Sequence, residues 1–391
     1  MRTFILTFLF LLLSLHVSEA GAVDAASSDG ILAHLVDSSQ DVGKKDDELM
    51  PYIQEKVVFS NKGVTLAGTL TLPRISGRHP AVVLLHGSGP LNRDQEIFGM
   101  KPFCIIADHL TRRGIAVLRY DSRGVGGSSG VPYQYTLLDV ADDALAAIHY
   151  LRTRDEINPA QIGLCGQSQG AVVAPLAASR SEHVAFIICL AGIGLPGEEA
   201  HIAQMISIAR ADGASEQETE GIAENLKQII GLIREEADEA EIRPLISTML
   251  QNQAASMSQE DEKETMDYDE ALDAHVDCAL SLYKSPWFRF FIDYDPKPAL
   301  ERVKCPMLLL FGELDTQVPA EVNSKAIVDV LKKGGKEDYT LEIIPKANHG
   351  FQSARTGSPS EYISLEKEFV PGFLEHISDW ILERVDIASR R

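Results

Sequence analysis

The sequence is short of cysteine, tryptophan and positive charge. Its 391 residues include 5 cysteines and 2 tryptophans, and 36 lysines and arginines stand against 57 aspartates and glutamates. An odd number of cysteines leaves at least one thiol free, and their spacing matches no zinc motif. The chain is also long enough to bury a core without a disulfide framework. We therefore expect no metal site and predict that most or all of the cysteines are free thiols.

The formal net charge of −21 is concentrated in one part of the chain. Residues 212–277 contain 19 acidic and 4 basic side chains. Such a surplus of negative charge repels phosphates, so we expect no nucleic acid as a partner. The acidic stretch is typical of a solvated helical surface, and it does not identify a substrate.

Long apolar runs are missing beyond the N-terminus, so we predict no stable membrane span in the mature chain. Arg2 precedes an apolar run over residues 4–15, and small residues at Ser18 and Ala20 offer a cleavage site. A run this short predicts a secretory signal peptide over residues 1–20, with an uncleaved anchor as the alternative. The expected location is secreted or periplasmic.

The first strong strand pattern begins only after residue 50. Residues 21–50 are small, polar and charged, and they predict an extension or linker with at most one short helix, around residues 31–36. Two β-like runs, at 57–59 and 66–72, then flank a turn at 61–63, which predicts an antiparallel hairpin.

Beyond the hairpin, short apolar runs alternate with helical patterns. The apolar runs lack the alternation of a half-exposed strand, so we predict burial on both faces in a parallel sheet. They lie at residues 81–85, 115–118, 161–164, 185–190, 307–311 and 339–344. Helices are predicted at residues 105–113, 136–152, 169–178, 320–332 and 365–385. The predicted fold is α/β: a mostly parallel, doubly wound sheet with the hairpin making it mixed.

One region interrupts this alternation. Residues 195–300 contain no convincing strand, and an apolar stripe marks one of their helical patterns. The stripe consists of Ile222, Leu226, Ile229, Ile230 and Ile233. We predict an inserted all-helical subdomain over residues 195–300, which divides the α/β core into residues 51–194 and 301–391.

A Gly-x-Ser-x-Gly motif lies between a predicted strand and a predicted helix. Gly166 and Gly170 flank Ser168, and the glycines permit a sharp turn that exposes the serine hydroxyl. The start of the following helix directs free N–H groups toward the reacting centre. The motif predicts a serine nucleophile, and the alternative is a glycine-rich turn with a helix-capping serine.

A serine nucleophile needs a base, and the base needs a group that orients it. Asp315 follows the predicted strand at 307–311, and His349 follows the one that ends at residue 344. The chain order Ser168, Asp315, His349 is that of a catalytic triad on a parallel sheet. Glu313 is the nearest competitor of Asp315, and a helix-capping role is the alternative for Asp315 itself.

The oxyanion of an acyl-transfer intermediate requires two backbone donors. The N–H of Gln169, directly after the nucleophile, is one candidate. The other is the N–H of Ser88 in the loop after the strand at 81–85, with Gly87 or Gly89 as alternatives. His86 in the same loop has no partner at metal-ligand spacing, so we interpret it as structural.

The glycine-rich run after the strand at 115–118 is not a dinucleotide motif. Gly124 and Gly126 are followed by Pro132, and no helix begins before residue 136. We expect a structural turn in which Asp121 pairs with Arg123. The chain also lacks a phosphate-binding lysine motif, so no cofactor is predicted.

These residues together resemble the α/β-hydrolase superfamily. The resemblance rests on Ser168, Asp315 and His349, on the loop at 86–90 and on the run at 119–124. More narrowly, the chain resembles secreted bacterial serine esterases of the dienelactone-hydrolase-like group. The runs at 91–94, 285–291 and 348–352 also resemble that group. The similarity covers residues 52–385, and it implies a helical cap over the site and hydrolysis of carboxylic esters without a cofactor.

The chain departs from that group around the nucleophile. The group commonly has histidine before the serine and glutamate after it, whereas Gln167 and Gln169 occupy these positions here. A neutral Gln169 still supplies its backbone N–H. Because a nearby carboxylate is lost, the resemblance is a safer guide to the reaction type than to the substrate.

The expected reaction is acyl transfer through Ser168 on a small-molecule ester of short or medium acyl chain. Trp287, Phe288 and Phe291, with Phe290, are candidates for the substrate pocket, and the alternative is that they attach the cap to the core. The acidic helices leave a lipase-like lid as another alternative. A serine peptidase or amidase, a thioesterase and a non-catalytic binding module are the rival functions. The sequence does not indicate an oligomeric state.

Overall fold

The computed structural model describes residues 50–256 and 268–389. The signal peptide predicted over residues 1–20 lies outside the described residues, as does the extension predicted over 21–50, with its short helix, except for residue 50. Within the described part, eight strands form one sheet in the order β1-β2-β4-β3-β5-β6-β7-β8. The strands are β1 Tyr52–Asn61, β2 Val64–Pro73, β3 His79–Leu85, β4 Ala116–Tyr120, β5 Ile157–Gln167, β6 Ile187–Leu190, β7 Met307–Gly312 and β8 Tyr339–Ile344.

The first two strands form the predicted hairpin. β1 and β2 pair antiparallel, and Lys62 and Gly63 connect them with φ of 47° and 87°. Two successive positive φ values give the turn the twist that matches the flanking strands. β2 also pairs antiparallel with β4, whereas all pairs from β4 to β8 are parallel. The predicted mixed, mostly parallel sheet is therefore present.

The strand order places a crevice beside the centre of the sheet. After β3 the chain moves outward to β4, and it then returns to the other side of β3 to form β5 and continue to β8. The loops that follow β3 and β5 thus leave in opposite directions. In open α/β sheets such a switch point is where ligands bind, at the carboxyl ends of the strands.

The prediction that every apolar run is buried on both faces is wrong for β8. β8 forms the edge of the sheet, and Leu341 and Ile343 are 36% and 46% exposed. On the opposite face, Thr340 accepts a hydrogen bond from the Trp380 indole. A strand with a neighbour on one side only is covered unevenly, which a run of apolar letters does not reveal.

The helices flank the sheet and fill the stretch between β6 and β7. They are α1 Pro102–Arg112, α2 Leu137–Arg152, α3 Gln169–Ala178, α4 Gly197–Ala211, α5 Glu216–Arg234, α6 Glu239–Ser256, α7 Tyr268–Tyr283, α8 Pro286–Ile292, α9 Lys297–Leu300, α10 Ala320–Lys333 and α11 Phe373–Ser389. We call the part from α4 to α9 the helical segment. One cluster of buried apolar side chains continues from the sheet into this segment.

The apolar stripe predicted in the acidic region is buried in α5. Leu226, Ile229, Ile230 and Ile233 are almost completely inaccessible, while the acidic side chains of this helix face solvent. Ile222, the first member of the stripe, is only partly buried. Ser215 and Glu218 form a capping box that satisfies backbone donors at the start of the helix. Burial of this stripe attaches an otherwise strongly charged helix to its neighbours.

The last helix begins later than predicted. The sequence predicts a helix from residue 365, but α11 begins at Phe373, and a 3-10 helix occupies Pro359–Ser364. Pro371 and Gly372 separate the two, with Gly372 at φ 85°. Proline disfavours a helical conformation in the residue before it, so the apolar spacing alone overestimated the helix. All five cysteines are free thiols.

Candidate active site

Ser168 occupies a strained turn at the end of β5. Its φ of 55° and ψ of −115° lie outside the regions that L-residues favour, and α3 begins at the next residue. The Ser168 N–H donates to the carbonyl of Leu190 at 2.8 Å, which fixes the turn against the end of β6. Strain of this kind persists only where the surrounding structure enforces it, and it is concentrated at functional sites.

The two glycines of the motif allow the strand and helix to approach each other. A Cβ atom on Gly166 would lie 2.0 Å from the carbonyl oxygen of Gly170. A Cβ on Gly170 would lie 2.0 Å from the carbonyl oxygen of Leu85, at the end of β3. Any side chain at either position would push α3 away from the sheet, so the turn that carries Ser168 depends on both glycines.

Asp315 and His349 meet although 34 residues separate them. The imidazole Nδ1 of His349 lies 2.8 Å from Oδ2 of Asp315, and both side chains are buried. The other oxygen, Oδ1, accepts hydrogen bonds from the N–H groups of Gln317 and Val318 at 2.9 and 2.8 Å. These bonds fix the carboxylate, so its free oxygen points at the imidazole.

The alternatives for this acidic position are resolved by its contacts. Glu313 accepts a hydrogen bond from the N–H of Lys346 and does not contact His349. The helix after β7 begins only at Ala320, with Pro319 at its N-cap, so Asp315 does not cap it. Asp315 is therefore the carboxylate that orients the imidazole.

Ser168 and His349 line the same cavity. The hydrogen bonds of the described residues do not include one between the Ser168 hydroxyl and the His349 imidazole. Bonds between a nucleophile and its base are often long without substrate and shorten in the bound complex. The structure thus brings the two side chains to one cavity with the imidazole already oriented by Asp315.

Two backbone N–H groups beside Ser168 lack acceptors among the described residues. Gln169 is the first residue of α3, and the first N–H groups of a helix have no partner within it. The N–H of Ser88 also has no acceptor there, and both residues line the cavity. Of the two alternative donors, Gly87 is already used, because its N–H donates to Oε1 of Gln95 at 2.8 Å, and Gly89 does not line the cavity.

The cavity lies between the strand ends and the helical segment and has a volume of about 130 Å³. Its lining is mostly apolar. Of the aromatic residues of α8, Trp287, Phe288 and Phe291 line it, whereas Phe290 packs against Tyr294. Besides Gln169, six residues with carboxamides line it and were not predicted as pocket residues: Gln95, Gln167, Gln204, Gln317, Asn323 and Gln352. A lone glutamine in a loop has no pattern that distinguishes it from a surface residue.

Trp287 both lines the cavity and attaches the helical segment to the core. Its ring stacks on Phe291 with centroids 5.5 Å apart and an angle of 3° between planes. Its indole N–H donates to Oε1 of Gln169, and its backbone N–H donates to the carbonyl of Tyr133 at 3.2 Å. The two roles that the sequence offered as alternatives are thus combined in one side chain.

His201 of α4 is a buried histidine that the sequence did not single out. It is 4% exposed, lines the cavity and packs edge-on against Tyr283 and Phe288. Burial lowers its pKa to about 4, so the ring is neutral at neutral pH. Its Nε2 atom has no hydrogen-bond partner among the described residues.

The predicted pair of Asp121 and Arg123 is wrong. Asp121 instead pairs with Arg93 at 2.5 Å, and Arg123 pairs with Asp143 at 2.7 Å. Burial opposes ionisation of Asp121, but hydrogen bonds from Arg93 and Gly127 outweigh it and lower its pKa. The side chains of residues two apart on a turn point in different directions, so Asp121 and Arg123 each form an ion pair with a residue from another part of the chain. These ion pairs stabilise the loops after β3 and β4.

His86 is a buried loop residue. Its Nδ1 lies 3.1 Å from the carbonyl oxygen of Gly87, and burial lowers its pKa. Within residues 50–256 and 268–389, no three or more histidine, cysteine, aspartate or glutamate side chains are grouped to hold a metal ion. Over the same residues, no helix combines the length and apolar character that crossing a bilayer requires.

Comparison with known proteins gives a consistent result. A model described as the alpha/beta hydrolase family matches residues 82–361. The esterase EstD of Thermotoga maritima is 28% identical over 347 residues, which cover 87% of this chain and 71% of that protein. The thiohydrolase aneE of Aspergillus aculeatus is 34% identical over 145 residues, which cover 37% of this chain and 42% of that protein.

One solved structure shows the same fold. The alpha/beta hydrolase GrgF of Penicillium sp. sh18 superimposes with a TM-score of 0.51 at 18% identity. The match covers 86% of this chain and 98% of that one. At this identity the likeness shows the fold alone.

Proposed function

The chain belongs to the alpha/beta hydrolase family, and we propose that it is a serine esterase acting on carboxylic esters of short or medium acyl chain. The observation that carries the proposal is the convergence on one cavity of Ser168, the Asp315-oriented His349 and two unpaired backbone N–H groups. The similarity to an esterase over 87% of the chain supports the reaction type. No step of the proposed mechanism uses a cofactor.

In the first half of the reaction Ser168 Oγ attacks the ester carbonyl while His349 Nε2 accepts the hydroxyl proton. The carbonyl oxygen becomes an oxyanion, which the N–H groups of Ser88 and Gln169 stabilise. Each such donor contributes about 3 kcal/mol to lowering the barrier. Asp315 keeps Nδ1 protonated and stabilises the imidazolium. When the tetrahedral intermediate collapses, the C–O bond to the alcohol breaks, and the imidazolium gives the alcohol its proton.

In the second half a water molecule attacks the acyl-enzyme. His349 accepts a proton from the water, the N–H groups again hold the oxyanion, and the bond to Ser168 Oγ breaks. The proton returns to Oγ, the carboxylic acid leaves, and the enzyme is restored. The overall reaction consumes one ester and one water and yields an acid and an alcohol.

The size of the cavity supports the proposed acyl-chain length. Its volume of about 130 Å³ is close to that of an apolar cavity of about 150 Å³ that accommodates benzene. The four carbons of a butyryl group are fewer than the six of benzene, whereas the sixteen of a palmitoyl chain are many more. In this proposal the helical segment acts as a cap that closes the pocket with Trp287 and Phe291.

Secretion through the predicted signal peptide remains part of the proposal. A thioesterase is the second candidate, because a thiohydrolase is 34% identical over 145 residues. Hydrolysis of a thioester would use the same groups, since only the leaving atom changes. The rates on matching esters and thioesters separate the esterase from the thioesterase.

The proposal is tested with the mature protein and with Ser168→Ala. We expect the wild type to hydrolyse p-nitrophenyl butyrate far faster than palmitate and faster than the matching amide and thioester. Ser168→Ala should lower kcat on the order of a million-fold and abolish labelling by a fluorophosphonate. The matched control is Ser179→Ala, at the other end of α3, where the hydroxyl donates to the Leu176 carbonyl.

If Ser168→Ala keeps more than about a tenth of the wild-type kcat, this serine is not the nucleophile. If thioesters are preferred over esters, the thioesterase replaces the esterase. If wild-type protein is neither labelled nor active, the protein is a binding module.

A further inference from the structure

Three loops of the proposed active site are joined by a chain of side-chain amides. We propose that Gln95 is a positioning residue. Together with the carboxamide of Gln167, its carboxamide holds two loops in register with Ser168: the oxyanion loop, at residues 86–90, and the histidine loop, which follows β8 and carries His349. This inference rests on the proposed function. Neither the family resemblance nor the sequence pattern assigns a role to Gln95.

The chain begins at the oxyanion loop and ends at the histidine loop. The Gly87 N–H donates to Oε1 of Gln95 at 2.8 Å. Nε2 of Gln95 donates to Oε1 of Gln167, and Nε2 of Gln167 donates to the backbone carbonyl of His349 at 3.0 Å. Gly87 follows β3, Gln167 ends β5 and His349 follows β8. The connected loops therefore come from three different strands.

The direction of these hydrogen bonds is fixed at both ends. A backbone N–H only donates and a backbone carbonyl only accepts. Each side chain between Gly87 and His349 must therefore accept on one side and donate on the other. A carboxamide does both, whereas an ionised carboxylate at either position offers acceptors alone and would face another acceptor.

Gln95 is held tightly in this arrangement. It is 2% exposed, and its φ of 52° is uncommon for a residue other than glycine. Its own N–H donates to the carbonyl of Asn92 at 2.9 Å. A buried side chain on a strained backbone persists because its contacts outweigh the strain, and here those contacts lead to the reacting groups.

The chain bears directly on the oxyanion donors. Because the Gly87 N–H is bound to Gln95, its peptide plane is fixed, and the next N–H along the chain is that of Ser88. Gln167 immediately precedes Ser168, and its Nε2 holds the backbone of His349. A rotation of the Gln95 side chain would release the oxyanion loop from the nucleophile and the base together.

A single substitution separates this role from simple packing. In Gln95→Glu the introduced carboxyl is nearly isosteric with the amide. When protonated, it accepts from Gly87 and donates to Gln167, so the chain is intact. When ionised, it only accepts, and its contact with Oε1 of Gln167 becomes repulsive. Burial raises the pKa of a carboxyl above its ordinary value of about 4.3, toward the pH range of an assay.

The charged groups near this position are mostly paired. On its own loop and the neighbouring β4 they are Arg93 with Asp121, Asp94 with Arg119, and Glu96 with Lys101. His86 lies on the same loop as Gln95. From the other elements, the groups are His349 with Asp315, Tyr362 of the 3-10 helix, and Lys367 beside the cavity. Wild type and variant are compared at each pH, so the rate ratio reports what the substitution changes.

The experiment measures kcat and KM on p-nitrophenyl butyrate from about pH 5 to about pH 9 for wild type, Gln95→Glu and Gln95→Met. We expect kcat of Gln95→Glu, relative to wild type, to fall about 30-fold as pH rises through the pKa of the new carboxyl, with KM unchanged. Gln95→Met should lower kcat about 10-fold at every pH, because it removes the hydrogen bonds and keeps the volume.

The outcomes distinguish this inference from the proposed function. A ratio that stays flat with pH for Gln95→Glu in an active, folded protein overturns the positioning role. If the substitution changes KM and leaves kcat as in wild type, Gln95 is a binding residue, and the positioning role is likewise overturned. If wild type itself is inactive and unlabelled by the fluorophosphonate, the proposed function fails instead. Circular dichroism across the same pH range checks that each variant is folded.

Discussion

The loops at the strand ends and the helical segment are held in place in different ways. The loops carry buried polar groups that bind one another: Asp315 accepts from two N–H groups and contacts His349, and Gly87 is joined to His349 through two amides. The helical segment contributes mainly apolar side chains to the cavity, with Trp287 supplying its polar link to Gln169.

The two regions therefore suit different tasks, the loops the positioning of reacting groups and the helical segment the shaping of the pocket. Hydrogen-bonded loops on a parallel sheet give the fixed geometry that acyl transfer needs, because small displacements of reacting groups greatly reduce rates. Apolar packing is less directional, so the helical segment tolerates substitutions that change the shape of the pocket. Further polar links join this segment to the 3-10 helix, where the hydroxyls of Ser358 and Ser360 donate to Asp212 at 2.5 and 3.2 Å. We therefore expect changes in the loops to affect kcat and changes in the segment to affect specificity or stability.

The largest expected effect comes from the loops. Asp315→Asn keeps an acceptor for Gln317 and Val318 but places an amide beside Nδ1 of His349, which favours the wrong imidazole tautomer. We expect kcat to fall about ten-thousand-fold, with little change in thermal stability. Glu313→Gln is the control from the same loop and should stay within about threefold of wild type. Equal losses in both variants would show that this loop is only structural.

A smaller effect is expected from the buried histidine of the helical segment. Its folded pKa of about 4 lies below the ordinary value of about 6.5, so the unfolded chain takes up a proton first as pH falls. The free energy of unfolding therefore decreases between about pH 6.5 and about pH 4, by on the order of 3 kcal/mol.

His201→Leu should remove this part of the pH dependence. Urea unfolding of wild type and variant at about pH 7 and about pH 4 measures it, since all other groups are shared. The difference between the two proteins isolates the histidine. Parallel losses of stability in both would show that the ring is protonated without cost in the folded state.

The smallest expected effect lies where the two regions meet. Trp287→Phe keeps the stacked ring and removes the indole N–H, so Oε1 of Gln169 loses its donor. We expect kcat/KM on p-nitrophenyl butyrate to fall about 10-fold, because a buried acceptor is left unpaired. Phe290→Leu, on the same helix but outside the cavity lining, is the matched control and should change kcat/KM less than about twofold. Equal effects would reduce Trp287 to a packing residue.

Much of the fold could be predicted because its signals are local. Continuous apolar runs indicated the buried strands, and the order of Ser168, Asp315 and His349 at strand ends indicated which loops would meet. Predictions failed where a residue distant in sequence but near in space determines a pairing or a degree of burial. Asp121 pairs with Arg93 rather than with Arg123, two residues away, and β8 is an edge strand although its apolar run predicted burial on both faces.

The sequence by itself determined the sharp turn at Ser168, since glycines at 166 and 170 are what allow strand and helix to touch there. It also determined the amphipathic burial of α5, because periodicity follows from helix geometry. Only the tertiary structure decided that Gln95 would connect Gly87 to Gln167. Hydrogen bonds between residues far apart in the chain leave no periodic trace, and they arise only once the sheet brings three strand ends together.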